Sequence, residues 1–145
     1  MPEFSITSED FKEGEEIPKK FGYKFENKIP NIYYANSPEN TETLALIMDD
    51  PDAMAAVGKV WVHWLEYGSV EQDLPHSKRS QGITDFGEIG YGGPAPPDGC
   101  HTYIFKLYEL DTDLDLKEGF SKQELEDAMK GHIIAEAKLT GTITP

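Results

Sequence analysis

Turn-forming residues cut this chain into short pieces from end to end, and no other feature constrains its fold as tightly. The 145 residues include 13 glycines and 10 prolines, distributed throughout. Few windows between them can hold a helix of several turns, whereas many suit strands. The better-defined windows also carry strand chemistry. Residues 43–48 (TLALIM) form an unbroken apolar run that reads as a central strand buried on both faces. Residues 59–68 (KVWVHWLEYG) and 101–110 (HTYIFKLYEL) are rich in β-branched and aromatic side chains and read as long interior strands. Shorter extended segments are expected at residues 4–7 (FSIT) and 29–35 (IPNIYYA).

One window departs from this pattern. In SKQELEDAMKG, Ser121 and Glu124 form an S-x-x-E capping box, Leu125, Ala128 and Met129 make an apolar stripe, and Gly131 supplies a stop, so a helix is expected there. Beyond it, Ile133, Ala135, Ala137 and Leu139 alternate with Ile134, Glu136, Lys138 and Thr140. That period of two predicts a final strand with a polar outer face. The whole is expected to form one mainly β domain over residues 1–145.

Charge and composition exclude several partners. Lys+Arg 13 against Asp+Glu 27 gives a net charge of −14, which repels nucleic acid and anionic membrane faces. Arg79 is the sole arginine, so the forked cation that grips phosphate is nearly absent and an anion site must use histidine, lysine or backbone N–H groups. No apolar run approaches a membrane span and the first residues lack a signal-peptide pattern, so the default expectation is a cytoplasmic protein. The single cysteine, Cys100, cannot form an internal disulfide and is read as structural.

Strand alternation singles out a few polar side chains. It sets Trp61, His63 and Leu65 on one face of their strand, with Val60, Val62 and Trp64 on the other. It also groups His101, Tyr103 and Phe105, with Cys100, Thr102 and Ile104 opposite, which argues against a Cys–His dyad. The apolar run ends in Asp49, Asp50 and Asp52 around Pro51, which stops the ladder and leaves carboxylates at a strand mouth. If these strand ends adjoin, Asp50, His63, His101 and Tyr103 form a small polar cluster. Taken singly, each has a structural reading as a satisfied core residue or an Asx turn. His76 and His132 are read as solvated.

The stretch YGGPAPPDGCHTY (residues 91–103) links the two halves of that cluster. Gly90-x-Gly92-x-x-Ala95 matches the dinucleotide fingerprint formally, but Pro96 and Pro97 would fall within the first turn of the required helix. A rigid loop over residues 87–99 is the better reading. Its glycines would let backbone N–H groups approach a ligand while its prolines limit the order lost on binding.

These segments together carry a family resemblance. DPDA (50–53), WVHW (61–64), residues 91–111 and GHIIAEAKLTGT (131–142), in this order along nearly the whole chain, resemble the phosphatidylethanolamine-binding protein family and its short prokaryotic, Raf kinase inhibitor-like branch. The resemblance implies two antiparallel β-sheets in a sandwich, a few peripheral helices and a small anion pocket. On this sequence the pocket residues would be Asp50, His63, the wall Gly93, Ala95 and Pro97, then His101 and Tyr103. It further implies binding of phosphate-like groups, including phospholipid headgroups, action on kinases or proteases by binding, and no assigned catalytic reaction or cofactor. Met54 stands where the family commonly has proline, and Ala95 where it often has cysteine or glycine, which alters the rim and the size of ligand expected.

Three functional readings follow. The first is an anion-binding module in which His63, His101 and Tyr103 donate to anion oxygens and Asp50 orients an imidazole. The second is a metal-dependent enzyme using Asp50, His63 and His101 as a 2-His-1-carboxylate set, a reading that no H-E-x-x-H or H-x-H spacing supports. The third is an inhibitor of a kinase or protease, which coexists with the first. The oligomeric state stays open, and a homodimer is compatible with the sequence.

Overall fold

The computed structural model describes residues 3–97 and 99–145; residues 1 and 2 of the expected domain and Asp98 of the Gly-Pro loop lie outside the described residues. In chain order the strands are β1 (Ser5–Thr7), β2 (Tyr33–Ala35), β3 (Thr43–Asp50), β4 (Trp61–Ser69), β5 (Ser80–Gln81), β6 (His101–Leu110) and β7 (Ile133–Ile143). Among the described residues, two α-helices, α1 (Ala53–Val57) and α2 (Lys122–Met129), and short 3-10 turns at Lys19–Phe21 and His76–Lys78 complete the set. A five-stranded antiparallel sheet has the order β5-β4-β3-β6-β7, and β1 and β2 form a second, two-stranded antiparallel sheet.

The apolar run at the centre explains this order. Every residue of β3 is buried, so a hydrogen-bonded neighbour on each side and a packed layer on each face are what its composition demands. Those neighbours are the two aromatic-rich strands, β4 and β6. Leu44, Leu46 and Met48 face the small sheet together with Trp64, Tyr103, Phe105 and Leu107. Ala45 and Ile47 face the other way, with Val62, Leu65, Phe120 and the α2 residues Leu125 and Met129. Trp64, Tyr103 and Phe105 are fully buried, and each such side chain contributes roughly 1.5–3 kcal/mol of burial.

The helix expectation is met in detail. The Ser121 hydroxyl accepts from the Glu124 N–H at 3.0 Å, and the Glu124 carboxylate reaches back to the Ser121 N–H. Gly131, at φ 81, follows the helix end. The first two extended segments shorten, however. Pro30 cannot donate to a ladder, and β2 begins only at Tyr33. The last strand runs further than expected, to Ile143, and its start is not core: Ile133 is exposed, whereas Leu139 and Ile143 are buried.

The alternation expected for β4 fails at one point, and the failure matters. The register shifts between Met48 and Asp49, so that Met48 pairs with Trp64 and Asp49 with Val62, and His63 is the extra residue. A bulge of this kind breaks the period of two. Trp64 joins the face on which His63 meets Tyr103, while Leu65 goes with Val62 to the opposite core. The expected grouping of His63 with Leu65, and of Trp64 with Val62, is therefore corrected.

Candidate functional site

Because β3 lies between β4 and β6 in antiparallel order, the end of β3 and the starts of both neighbours meet at one edge of the sheet. Asp50 pairs with Trp61, and Asp49 with Ile104. This brings Asp50, His63, His101 and Tyr103 together, as the strand-mouth argument expects. The Asp50 Oδ2 accepts from Nδ1 of His101 at 2.6 Å, and both side chains are buried. Asp52, one turn on, uses its carboxylate to accept the Thr102 N–H at 2.8 Å and so ties the start of β6 to the start of α1.

A cavity of about 180 Å³ opens above this edge, with Asp50 and His63 as its ionisable groups. Ala53, Ala56 and Val57 of α1 form one wall; Trp61 and Phe86 add aromatic faces; Ala95 and Pro97 close the loop side. The site is thus apolar around a polar floor. Tyr103 lies just behind, its ring 5.1 Å from that of His63 and 6.4 Å from that of His101.

Two polar groups at this site, His63 and Tyr103, have opposite habits. His63 is buried, and its Nδ1–H donates to the Gly92 carbonyl at 2.7 Å. Burial pushes its pKa below the ordinary histidine value, outweighing the Gly92 carbonyl and the Asp50 charge, which favour the proton. Near neutral pH the ring is therefore neutral and its Nε2 carries a lone pair. Tyr103 is pushed the other way: burial first, then the Asp50 carboxylate, hold its hydroxyl firmly protonated. That hydroxyl faces the Ala95 backbone and the Asp50 carboxylate, whose hydrogen-bonding contacts shift its pKa in opposite directions, but among the described residues neither contact is a short, well-aligned hydrogen bond.

Several expectations change here. Gly92 and Gly93 do not offer N–H groups to a ligand. The Gly92 N–H donates to the His63 carbonyl at 2.8 Å and the Gly93 N–H to Asn27 Oδ1 at 2.7 Å. These residues are glycine for close approach instead: a Cβ on Gly93 would lie 1.9 Å from the Phe21 carbonyl oxygen, and one on Gly92 would lie 2.5 Å from the Phe86 ring. Cys100 is exposed rather than part of the packing. His76 and His132 are only half-solvated, since His76 contacts the Glu66 carboxylate at 2.6 Å and His132 that of Asp111 at 2.9 Å. Among the described residues, no group of three or more His, Cys, Asp or Glu is arranged to hold a metal ion, so the 2-His-1-carboxylate reading has no geometric support.

Sequence reasoning missed Phe86, helix α1 and Asn27. An Ala-rich stretch between Asp52 and Gly58 carries a helix signal, with Gly58 at φ 78 as its left-handed stop. Phe86 sits in a turn and is held by a parallel stack on Tyr23, with centroids 3.9 Å apart. Nothing local in the sequence announces that role.

Comparison with known proteins gives this arrangement a context. The family model described as phosphatidylethanolamine-binding protein matches residues 7–144. A UPF0098 protein of Methanothermobacter thermautotrophicus is 39% identical, over 94% of this chain and 96% of its own length. A UPF0098 protein of Chlamydia muridarum is 40% identical over the same shares. The crystal structure of a Chlamydia trachomatis protein described as a putative phosphatidylethanolamine-binding protein homologue superposes with a TM-score of 0.89 at 35% identity, covering 100% of this chain and 99% of that one. Escherichia coli YbcL, described as a member of the mammalian family, gives 0.88 at 27% identity, covering 99% of each. A carboxypeptidase Y inhibitor, solved with its cognate proteinase, shares the fold at a TM-score of 0.62 and 16% identity, covering 97% of this chain and 83% of the inhibitor. By its sequence over almost its full length, as well as by its two-sheet architecture, the chain belongs to the phosphatidylethanolamine-binding protein family.

Proposed function

We propose that this protein is a binding module for a small phosphate-type anion, taken up in the cavity between α1, the start of β4 and the Gly-Pro loop, and that it performs no catalysis. The observation that carries the reading is the Tyr103 hydroxyl. Buried and protonated, it has only loose contacts with Asp50 and Ala95 and is poorly satisfied, and beside His63 it is placed to meet an acceptor oxygen. His101, aligned by Asp50, lies buried behind that polar floor, while Ala95 and Pro97 close the loop side. Gly93 contributes through the wall's shape, since its N–H is engaged by Asn27.

The charge of the site narrows the ligand. Among the described residues the lining holds no lysine or arginine, and its carboxylate is engaged with His101. A neutral His63 offers a lone pair, so the favoured anion arrives with a proton of its own or prompts His63 to take one up. At about 180 Å³ the cavity is smaller than the ~300 Å³ at which pockets for drug-sized ligands begin. A headgroup or a phosphorylated side chain fits, with the rest of its carrier outside. Met54 and Val57, both exposed on α1 beside the mouth, would meet that carrier.

The carrier can be a protein such as a kinase or protease. The fold's appearance in an inhibitor captured with its proteinase supports that extension, and the net charge of −14 favours a partner with a basic patch. Calorimetry with inorganic phosphate and with O-phosphotyrosine tests the reading. Binding to the wild type that falls at least tenfold in His63→Ala is expected; undetectable binding of both probes to the wild type would overturn it.

A further inference from the structure

Asn27 lies outside the cavity and is one of the few non-glycine residues at positive φ, at 53°. Asparagine tolerates that conformation better than most residues, but it still calls for a reason. Its side-chain amide supplies one. Oδ1 accepts from the Gly93 N–H at 2.7 Å, and Nδ2 donates to the Tyr91 carbonyl at 3.2 Å. These two bonds bracket Gly92. The Gly92 N–H donates to the His63 carbonyl at 2.8 Å, and the Gly92 carbonyl accepts from His63 Nδ1 at 2.7 Å. A carbonyl can only accept, so this last bond dictates which ring nitrogen carries the proton.

Other contacts hold the same wall without setting the peptide planes around Gly92. The Tyr91 hydroxyl donates to the Phe21 carbonyl at 2.9 Å, and the Tyr23 N–H donates to the Pro94 carbonyl at 3.0 Å. They fix where the wall is. Among the described residues, only the Asn27 amide engages both residues that flank Gly92, and it engages one donor and one acceptor at once.

We propose that Asn27 is a positioning residue for His63: its amide locks residues 91–93 so that the Gly92 carbonyl holds the imidazole in one tautomer and turns Nε2 toward the ligand. The effect on affinity rests on the functional reading above, whereas the effect on the tautomer stands apart from it. A purely structural role would lower stability and leave the ring untouched.

Nitrogen-15 NMR of the histidine rings in the intact protein reads the tautomer directly. The wild type is expected to show His63 as a single Nδ1–H form. Asn27→Gly removes the amide yet accepts the positive φ. It should give a mixture of the two tautomers and a roughly tenfold weaker affinity for inorganic phosphate, the scale on which outer partners of a functional imidazole act. Asn27→Asp keeps the acceptor for Gly93 and loses the donor to Tyr91, and it should fall between the two. An Asn27→Gly protein whose His63 stays in the wild-type tautomer overturns the proposal. Should that variant fail to fold, Asn27→Asp decides: mixed tautomers support the role and an unchanged ring removes it. A wild type that binds no phosphate overturns the functional reading alone, because the tautomer result still settles the role of Asn27.

Discussion

His63 and Glu66 are both buried on β4 and belong to polar clusters on the same side of the sheet, but the two clusters are finished differently. Around Glu66, Oε1 accepts from Arg79 at 3.1 Å, while Oε2 contacts His76 at 2.6 Å and accepts from Gln81 at 2.9 Å. Gln81 in turn accepts from the Trp64 indole at 2.9 Å, and Arg79 donates its remaining groups to the Ser69 and Glu71 carbonyls. The sole arginine is used up inside the protein. Each cluster holds a tyrosine hydroxyl without a close partner, Tyr34 beside Glu66 and Tyr103 beside His63, but the cavity left beside His63 is about 180 Å³, against about 30 Å³ beside Glu66. A closed network specifies structure, and an open one of similar residue types leaves groups for a ligand.

That contrast is broken most severely at Arg79. Arg79→Ala removes the buried cation from the Glu66 carboxylate, leaving it to His76 and Gln81, and should cost about 3 kcal/mol in denaturant unfolding, while phosphate affinity of the folded protein stays unchanged. At Tyr103 the two effects should trade places. Tyr103→Phe deletes a loosely held hydroxyl, so stability should shift by no more than about 1 kcal/mol, yet phosphate affinity should drop roughly tenfold, about 1.4 kcal/mol of lost hydrogen bonding. If instead Tyr103→Phe destabilises the protein and spares binding, the hydroxyl is structural and the contrast fails.

Acid separates the clusters more gently. The His63 pKa is lowered on folding, so the unfolded chain binds that proton more readily, and the associated stability is lost as pH falls below the ordinary value of 6.5. For Glu66, burial favours the protonated form, but His76, Gln81 and Arg79 together hold the pKa below 4.5. Its contribution is thus complete above 4.5 and disappears only as pH falls further, through the folded value. Unfolding free energies measured from neutral pH downward should therefore decline in two stages. His63→Ala should remove the upper one and leave the lower; a single decline unaffected by that change would contradict the assignment of His63 as a buried neutral ring.

How much of this can be read from the chain alone depends on the range of each interaction. The central strand, its two aromatic neighbours and α2 are legible because burial on two faces, β-branching and a capping box are local signals. The meeting of Asp50, His63 and His101 follows once β3 is central, because antiparallel neighbours must bring those ends to one edge. The bulge at His63 is not legible, since register depends on two strands at once and moves Trp64 and Leu65 to faces that strict alternation denies them. The role of the glycines is misread for a similar reason. Their backbone donors look available until Asn27, remote in sequence, and the His63 carbonyl occupy them. The partner of Phe86, Tyr23, is likewise far along the chain.

The most direct test of the central claim is calorimetry of sulfate binding between about pH 5.5 and 8, in buffers of different ionisation enthalpy. Sulfate keeps its charge across that range, so any proton exchanged belongs to the protein, and histidine is the side chain that titrates there. Binding that strengthens as pH falls, with uptake of up to one proton that disappears in His63→Ala, is the predicted result. Binding of equal strength at every pH with no proton uptake would contradict it.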